Sequence, residues 1–206
     1  SVAVSQLARP QRSISPGFAS ATLPLTASQP ITLSLSVHGG PAQTITVPAS
    51  ANTPQGIVSS VNAAGKGVTA QLINTGDPLK PIKIMFTGQS GENHDFQISG
   101  LDSYFPQEMA ANPSWTSAVQ TSQSAQNARL NVDGIDIISS SNKVEGAITG
   151  TTLDLYALTP SNETASVDFL RDTSSIKPKI EALVKAYNDA TSMLGVVSDP
   201  KSSVET

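Results

Sequence analysis

The chain contains no cysteine. That one absence removes disulfides, thiolate zinc sites, iron–sulfur clusters and cysteine nucleophiles together, and it suits any compartment, an extracellular one included. Charge is scarce as well. Asp, Glu, Lys and Arg make up 14% of the 206 residues, against roughly a quarter in an average soluble domain. The 16 acidic and 12 basic residues leave a formal charge of −4, and no acidic residue precedes Asp77. Only Arg9, Arg12 and Lys66 are basic in that first stretch. A near-neutral first third offers no cluster of Lys or Arg to displace counterions, so no nucleic-acid partner is expected. No run approaches the roughly 20 apolar residues that a membrane span needs. The chain begins at Ser1 rather than Met and shows no signal peptide, so it is read as a fragment or processed product whose targeting information is missing.

Ser and Thr take the place of charge, at about a quarter of the chain. Low charge and 4% aromatics would also fit disorder, but clean apolar alternation argues for strands. Val2, Val4 and Leu7 form a short strand-like opening before a Pro/Ser/Gly-rich stretch from Pro10 to Gly17. Ile31, Leu33, Leu35 and Val37 alternate strictly with Thr and Ser, a half-buried strand. Gly39-Gly40-Pro41 turns it into a second run at Ile45 and Val47. Thr53 is a good N-cap, Pro54 fits the first helical position, Ile57, Val58 and Val61 make an apolar stripe, and Gly65 ends the helix. Strands follow at Val68–Ile73 and Lys80–Phe86, split by Asn74-Thr75-Gly76-Asp77-Pro78, and a short one at Phe96 and Ile98. One globular unit is therefore expected over 21–101. From 102 to 128 the pattern dissolves, and so long a loop inside one compact domain is unusual, so a connector is expected there.

A second β unit over 129–172 opens with Leu130 and Val132, then Asp133-Gly134, then Ile135, Ile137 and Ile138. Asp-Gly between apolar runs marks a hairpin, because a type I′ turn needs positive φ at both central residues. Leu153, Leu155 and Ala157 alternate on one further strand, Val167 and Phe169 on another. The last segment, 173–206, changes period. Ile176, Ile180, Leu183, Tyr187, Ala190, Leu194 and Val197 are spaced alternately four and three residues apart, the seam of a coiled coil. Thr173, Ser174 or Ser175 can cap its start. A lone helix of this kind is marginal in water, so the seam calls for a partner helix. The fold class is mainly β with minor α: two small β-rich domains and a C-terminal helix.

Chemistry is thin. His94 in Glu92-Asn93-His94-Asp95 has metal-ligand types around it, but a stable site needs three or four converging ligands, and a polar hairpin tip is the better reading. Asp133 belongs to its turn, and Asp136 alternates with Ile135 and Ile137 on the outer face of its strand, so the two do not read as a catalytic carboxylate pair. No nucleophile elbow, phosphate loop or dinucleotide fingerprint occurs. No cofactor, metal site or enzymatic activity is expected. Tyr104, Phe105 and Trp115 could stack on a sugar or partner surface, with packing between domains as the bland alternative. Asn162-Glu163-Thr164 matches a glycosylation sequon of the kind that arises often by chance.

Several segments together resemble a known family. Thr53 to Ala64 followed by Gly67 to Ile73 is similar to the Ile-Asn hook motif of flagellar hook-associated proteins, with Val61-Asn62 standing for Ile-Asn. Gly91 to Ile98 resembles the glycine-asparagine segment that follows it. Ala125 to Ile135, Ser139 to Val144 with Ala147 to Leu155, and Ile180 to Asn188 match further blocks. Their order is that of the filament cap (hook-associated protein 2) family. The resemblance implies that residues 1–20 rejoin the second β domain, that the first β domain is an insertion, and that 173–206 begins a helical leg. It implies a secreted, extracellular structural protein at the flagellum tip. There it would form a ring-shaped homo-oligomer when full length and promote flagellin folding and insertion. It also implies flagellin as a partner, an export chaperone acting through missing termini, and host mucin or glycan contact. The rival reading from the residues is a β-rich surface adhesin or carbohydrate-binding module.

Overall fold

A computed structural model describes residues 1–160, 163–167 and 176–198. The chain divides into two compact units, Ser1–Ser166 and Val167–Thr206. Along the first unit run β1 (Val2–Gln6), β2 (Pro10–Ile14), β3 (Ile31–Val37), β4 (Gln43–Val47), α1 (Pro54–Ala64), β5 (Thr69–Asn74), β6 (Ile82–Ser90), β7 (Phe96–Ser99), α2 (Pro106–Ala111), β8 (Gln120–Gln123), β9 (Ala128–Val132), β10 (Ile135–Ser139), β11 (Lys143–Glu145) and β12 (Thr152–Asp154). The second unit contains α3 (Ile176–Ser198).

The first unit holds two hydrophobic cores. The larger lies between a four-stranded sheet of order β5-β6-β2-β8 and a three-stranded sheet of order β4-β3-β7, with α1 packed against β4 and β5. Alternation drives it: Ile31, Leu33 and Leu35 of β3 are buried with Ile45 and Val47 of β4, and their Thr and Ser neighbours turn outward or lie half-buried. The hairpin between β3 and β4 turns at His38 and Gly39, both at positive φ, one residue earlier than the Gly-Gly pair suggests. α1 starts as its sequence dictates. The Thr53 hydroxyl accepts the Gly56 N–H at 3.0 Å, Pro54 occupies the first turn, and Gly65 closes the helix in the left-handed region. The Asn62 side chain then anchors α1 to β5: its Nδ2 donates to the Ala70 carbonyl at 2.9 Å, and its Oδ1 accepts the Ala70 N–H at 2.8 Å.

The smaller core gathers Val2 and Val4 of β1, Leu130 and Val132 of β9, and Val144. It sits under a sheet of order β1-β9-β10, beside the β11–β12 pair. The chain thus enters the smaller lobe through β1, builds the larger lobe from β2 to β8, and returns through β9. At the crossing, Arg9 and Gln126 exchange two backbone hydrogen bonds of 2.9 and 3.0 Å.

Two segments differ from the sequence expectation. Residues 10–18 are not part of the smaller lobe, since β2 is an inner strand of the four-stranded sheet and Phe18 lies in the larger core. Residues 102–128 are not a free connector. Phe105, Ala118 and Val119 are buried in the larger core, and β8 pairs with β2. The Asp102 carboxylate accepts the Ala118 N–H at 2.6 Å and holds this return path against the lobe. Val167 has no place in a described strand, and Phe169 lies outside the described residues, as do Asn162 of the sequon and Thr173, Ser174 and Ser175.

Candidate functional site

The seven residues of the expected seam lie on α3. Ile176, Ile180, Leu183, Tyr187 and Leu194 are exposed at 47, 56, 70, 71 and 69%. Ala190 is exposed too, and the side chain of Val197 lies outside the described ones. Helical geometry turns 100° per residue, so steps of four and three keep all seven positions on one stripe. Val184 and Met193, also exposed, widen the apolar surface beyond the stripe itself. Lys177–Glu181 at 3.9 Å and Lys185–Asp189 at 2.9 Å form ion pairs one turn apart. Pairs of this kind add only a few tenths of a kcal/mol each. One side of α3 is thus an exposed apolar stripe.

The three candidate aromatics do not form a stacking platform. Phe105 is buried and meets Phe18 edge-to-face, with ring centres 5.0 Å apart. Tyr104 is partly buried against the same core, and Trp115 is half-exposed. The expectation of a surface cluster fails at Phe105 because a core needs large rings, and the chain has few to spend. A groove of about 530 Å³ runs beside β7 and β8, lined by hydroxyls of Ser34, Ser36, Ser99, Ser117 and Thr121; neither Tyr104 nor Trp115 lines it.

The titratable candidates have structural partners. His94 closes a single 3-10 turn between β6 and β7, and its Nδ1 lies 2.7 Å from the Ser90 carbonyl. Asp136 accepts from the Asn131 side chain at 2.7 Å on the outward face of the β9–β10 hairpin. Asp133 sits at positive φ in the turn with Gly134. Among the described residues no group of three or more His, Asp or Glu is placed to hold a metal ion, and no described helix is long and apolar enough to cross a membrane.

Two acidic groups of the larger lobe are perturbed. Asp77 is held below the usual carboxylate range because its Oδ1 accepts the Lys80 and Leu79 N–H groups, each at 2.8 Å. Glu108 is lowered by the hydrogen bond it receives from the Lys80 ammonium. The same hydrogen bonds tie the loop in which Leu79 is 79% exposed.

Sequence reasoning missed Gln11, Ser13 and Ser15. Gln11 and Ser13 are the inward face of β2 and Ser15 follows just beyond it; all three are buried and none is apolar. The Gln11 amide imitates a strand. Its Oε1 accepts the Phe96 N–H at 2.9 Å and its Nε2 donates to the Phe96 carbonyl at 2.7 Å, so it covers the open edge of β7. Ser15 Oγ accepts the Ile84 N–H at 2.9 Å. The only available signal was the alternation of Gln, Ser and Ser between Pro10 and Pro16, which polarity disguises.

Residues 125–203 match the family model described as flagellar hook-associated protein 2 C-terminus (FliD_C). The B-type flagellar hook-associated protein 2 of Pseudomonas aeruginosa is 28% identical over 178 residues, covering 79% of this chain and 37% of that protein. The chain thus spans little more than a third of the length of that curated relative. The crystal structure of the D1-D2-D3 domains of the flagellar cap protein FliD from Escherichia coli superposes with a TM-score of 0.73 at 27% identity, covering 91% of this chain and 55% of that one. The crystal structure of FliD (HAP2) from Pseudomonas aeruginosa gives a TM-score of 0.70 at 25% identity, covering 96% of this chain and 90% of that one.

Proposed function

Because this chain belongs to the flagellar hook-associated protein 2 family, we propose that it supplies the head and the start of a leg of a filament cap at the outer end of a bacterial flagellum. The exposed seam of α3 carries the reading: a helix with a long apolar side, attached to a β-rich head, is built for assembly. In this role the full-length protein forms a ring-shaped homo-oligomer. The heads make a plate, the legs reach the filament, and flagellin subunits fold and insert in the space between them. The work is steric and interfacial, and no bond is made or broken. A cysteine-free chain suits this life, because it passes unfolded through an export channel with no disulfide to form early. In this reading β2 and residues 21–123 form the larger lobe, and β1 with residues 128–155 the smaller.

Deleting the full-length gene product tests the proposal. The expected result is short or absent filaments with unpolymerised flagellin in the medium, restored by the wild-type protein and not by a Leu183→Glu, Tyr187→Glu form. Normal filaments in the deletion strain would sink it.

A further inference from the structure

β10 is an edge strand, and no described strand pairs with its outer side. The molecule covers another open edge, that of β7, with the Gln11 amide. Among the described residues nothing covers β10 in this way. Natural edges are usually blunted by Lys, Pro, a bulge or a covering segment; β10 reads Ile135-Asp136-Ile137-Ile138-Ser139, in unbroken register with β9. Ile135 and Ile138 are 68 and 58% exposed.

The turn fixes which backbone groups are open. Asp133 and Gly134 make a two-residue turn at φ of 48° and 89°, so Val132 and Ile135 form the bonded pair that closes it. Bonded and non-bonded pairs then alternate, which turns the N–H and C=O groups of Ile137 and Ser139 toward β9 and those of Asp136 and Ile138 outward. A second β10, running antiparallel about a two-fold axis at Ile137, places Asp136 opposite Ile138 of the second copy and Ile138 opposite its Asp136. Each is a bonded pair, so the register satisfies all four open groups and both strands keep their inner faces inward.

Charge agrees with that register. On the outward face, Arg129 lies beside Ile138, and Asn131 beside Asp136. Across the axis the row reads Arg129, Ile138, then Asp136 and Asn131 of the second copy. In the single chain the Arg129 guanidinium pairs with Glu92 at 3.6 Å; with adjacent strands about 4.8 Å apart, pairing of two copies would lay its stem over Ile138 and turn its head from Glu92 to the carboxylate of the second copy. No like charges face each other. The same face carries a shallow depression of about 350 Å³ whose lining includes Ala3, Ser5, Arg129, Asn131, Asp136 and Ile138.

We propose that β10 joins two copies of this chain edge to edge in this register, making one continuous sheet β1-β9-β10-β10-β9-β1. This pairing rests on the fold of the smaller lobe and is independent of the cap reading. An interface of two five-residue strands is small, so the association is weak and concentration-dependent.

Sedimentation of the chain from about 10 µM to about 1 mM, with residue-resolved amide exchange at both ends of the range, tests it. The expected result is a dimer at the upper end, with the Asp136 and Ile138 amides slowed there and not at the lower end. Ile138→Pro removes a donor that β9 does not use, so the ladder survives while dimerisation weakens at least about tenfold. Asp136→Lys weakens it similarly, and adding Arg129→Glu restores it in a Glu92→Gln background, where the new carboxylate has no acid beside it. Association through the α3 seam would persist in Ile138→Pro and in Asp136→Lys, and that outcome overturns the proposal. So does a wild-type chain that stays monomeric to the top of the range, or one whose Asp136 and Ile138 amides ignore concentration.

Discussion

Side-chain amides do in this chain what charge and disulfides do in others. Asn62 pairs with both backbone groups of Ala70, Gln11 with both of Phe96, and Asn142 with both of Ala8, at 2.7 Å from its N–H and 3.0 Å to its carbonyl. Each amide offers one acceptor and a donor in the spacing of a peptide group, so it extends a ladder where no strand is at hand. Gln11 is the most consequential because it is buried. Gln11→Leu keeps the volume but leaves the Phe96 N–H and C=O unpaired, and each unsatisfied buried group costs about 1–3 kcal/mol. A loss of about 2–4 kcal/mol in denaturant unfolding is expected; an unchanged midpoint would mean that water replaces the amide. A second residue-scale prediction concerns acid. The depressed Asp77 carboxyl contributes stability above its unfolded value near 3.8, and that contribution fades as pH falls through the lower folded value. Asp77→Asn should therefore narrow the gap between stability at neutral pH and at pH about 2, read from unfolding curves across that window. An identical pH profile in the variant contradicts the loop geometry.

At the level of elements, what the sequence reveals depends on which side of a strand or helix is apolar. β3, β4, α1 and the β9–β10 hairpin are legible because hydrophobic period, cap and turn residues agree. β2 is illegible because its inward face is Gln11 and Ser13, and residues 102–128 are illegible because short helical pieces bury single residues such as Phe105 and Val119 without any period. The helix α3 and its apolar stripe are legible from their period, but a stripe of this kind does not name a partner. Gly56 in α1 shows a similar limit. Helix propensity alone favours Ala there by about 1 kcal/mol. However, a Cβ at Gly56 would stand 1.7 Å from the Ala51 carbonyl oxygen, on backbone that cannot swing aside. Gly56→Ala should thus destabilise the larger lobe by about 2 kcal/mol or more, the opposite sign to propensity. Thermal unfolding of the variant decides between the two.

As a whole molecule, the first unit carries two cores of unequal size joined by two antiparallel crossings, from β1 to β2 and from β8 to β9. Among the described residues, the smaller core buries fully only Val2, Val4, Leu130, Val132 and Val144, with partly buried residues such as Leu7, Ile137 and Leu153 around it. The larger one fills the space between two sheets and a helix with Ile, Leu and Phe side chains such as Leu33, Ile84 and Phe86, all buried completely or nearly so. Hydrophobic stabilisation scales with apolar area removed from water, so the smaller lobe is the weaker partner. Its chain order adds to this: β1 and β9 lie far apart in sequence, and closing that long loop costs entropy before their pairing returns anything. Two-step unfolding is expected, with amides of β9 and β10 exchanging earlier than those of β3 and β6. Core truncations separate the steps. Val144→Ala should lower the first transition and leave the second in place. Leu33→Ala should lower the second by an amount corresponding to about 2–5 kcal/mol, because a buried leucine leaves a cavity its neighbours only partly fill. If both substitutions shift a single common transition, the Arg9–Gln126 crossing couples the lobes tightly enough to make them one cooperative unit, and the inequality of the two cores has no separate thermodynamic expression.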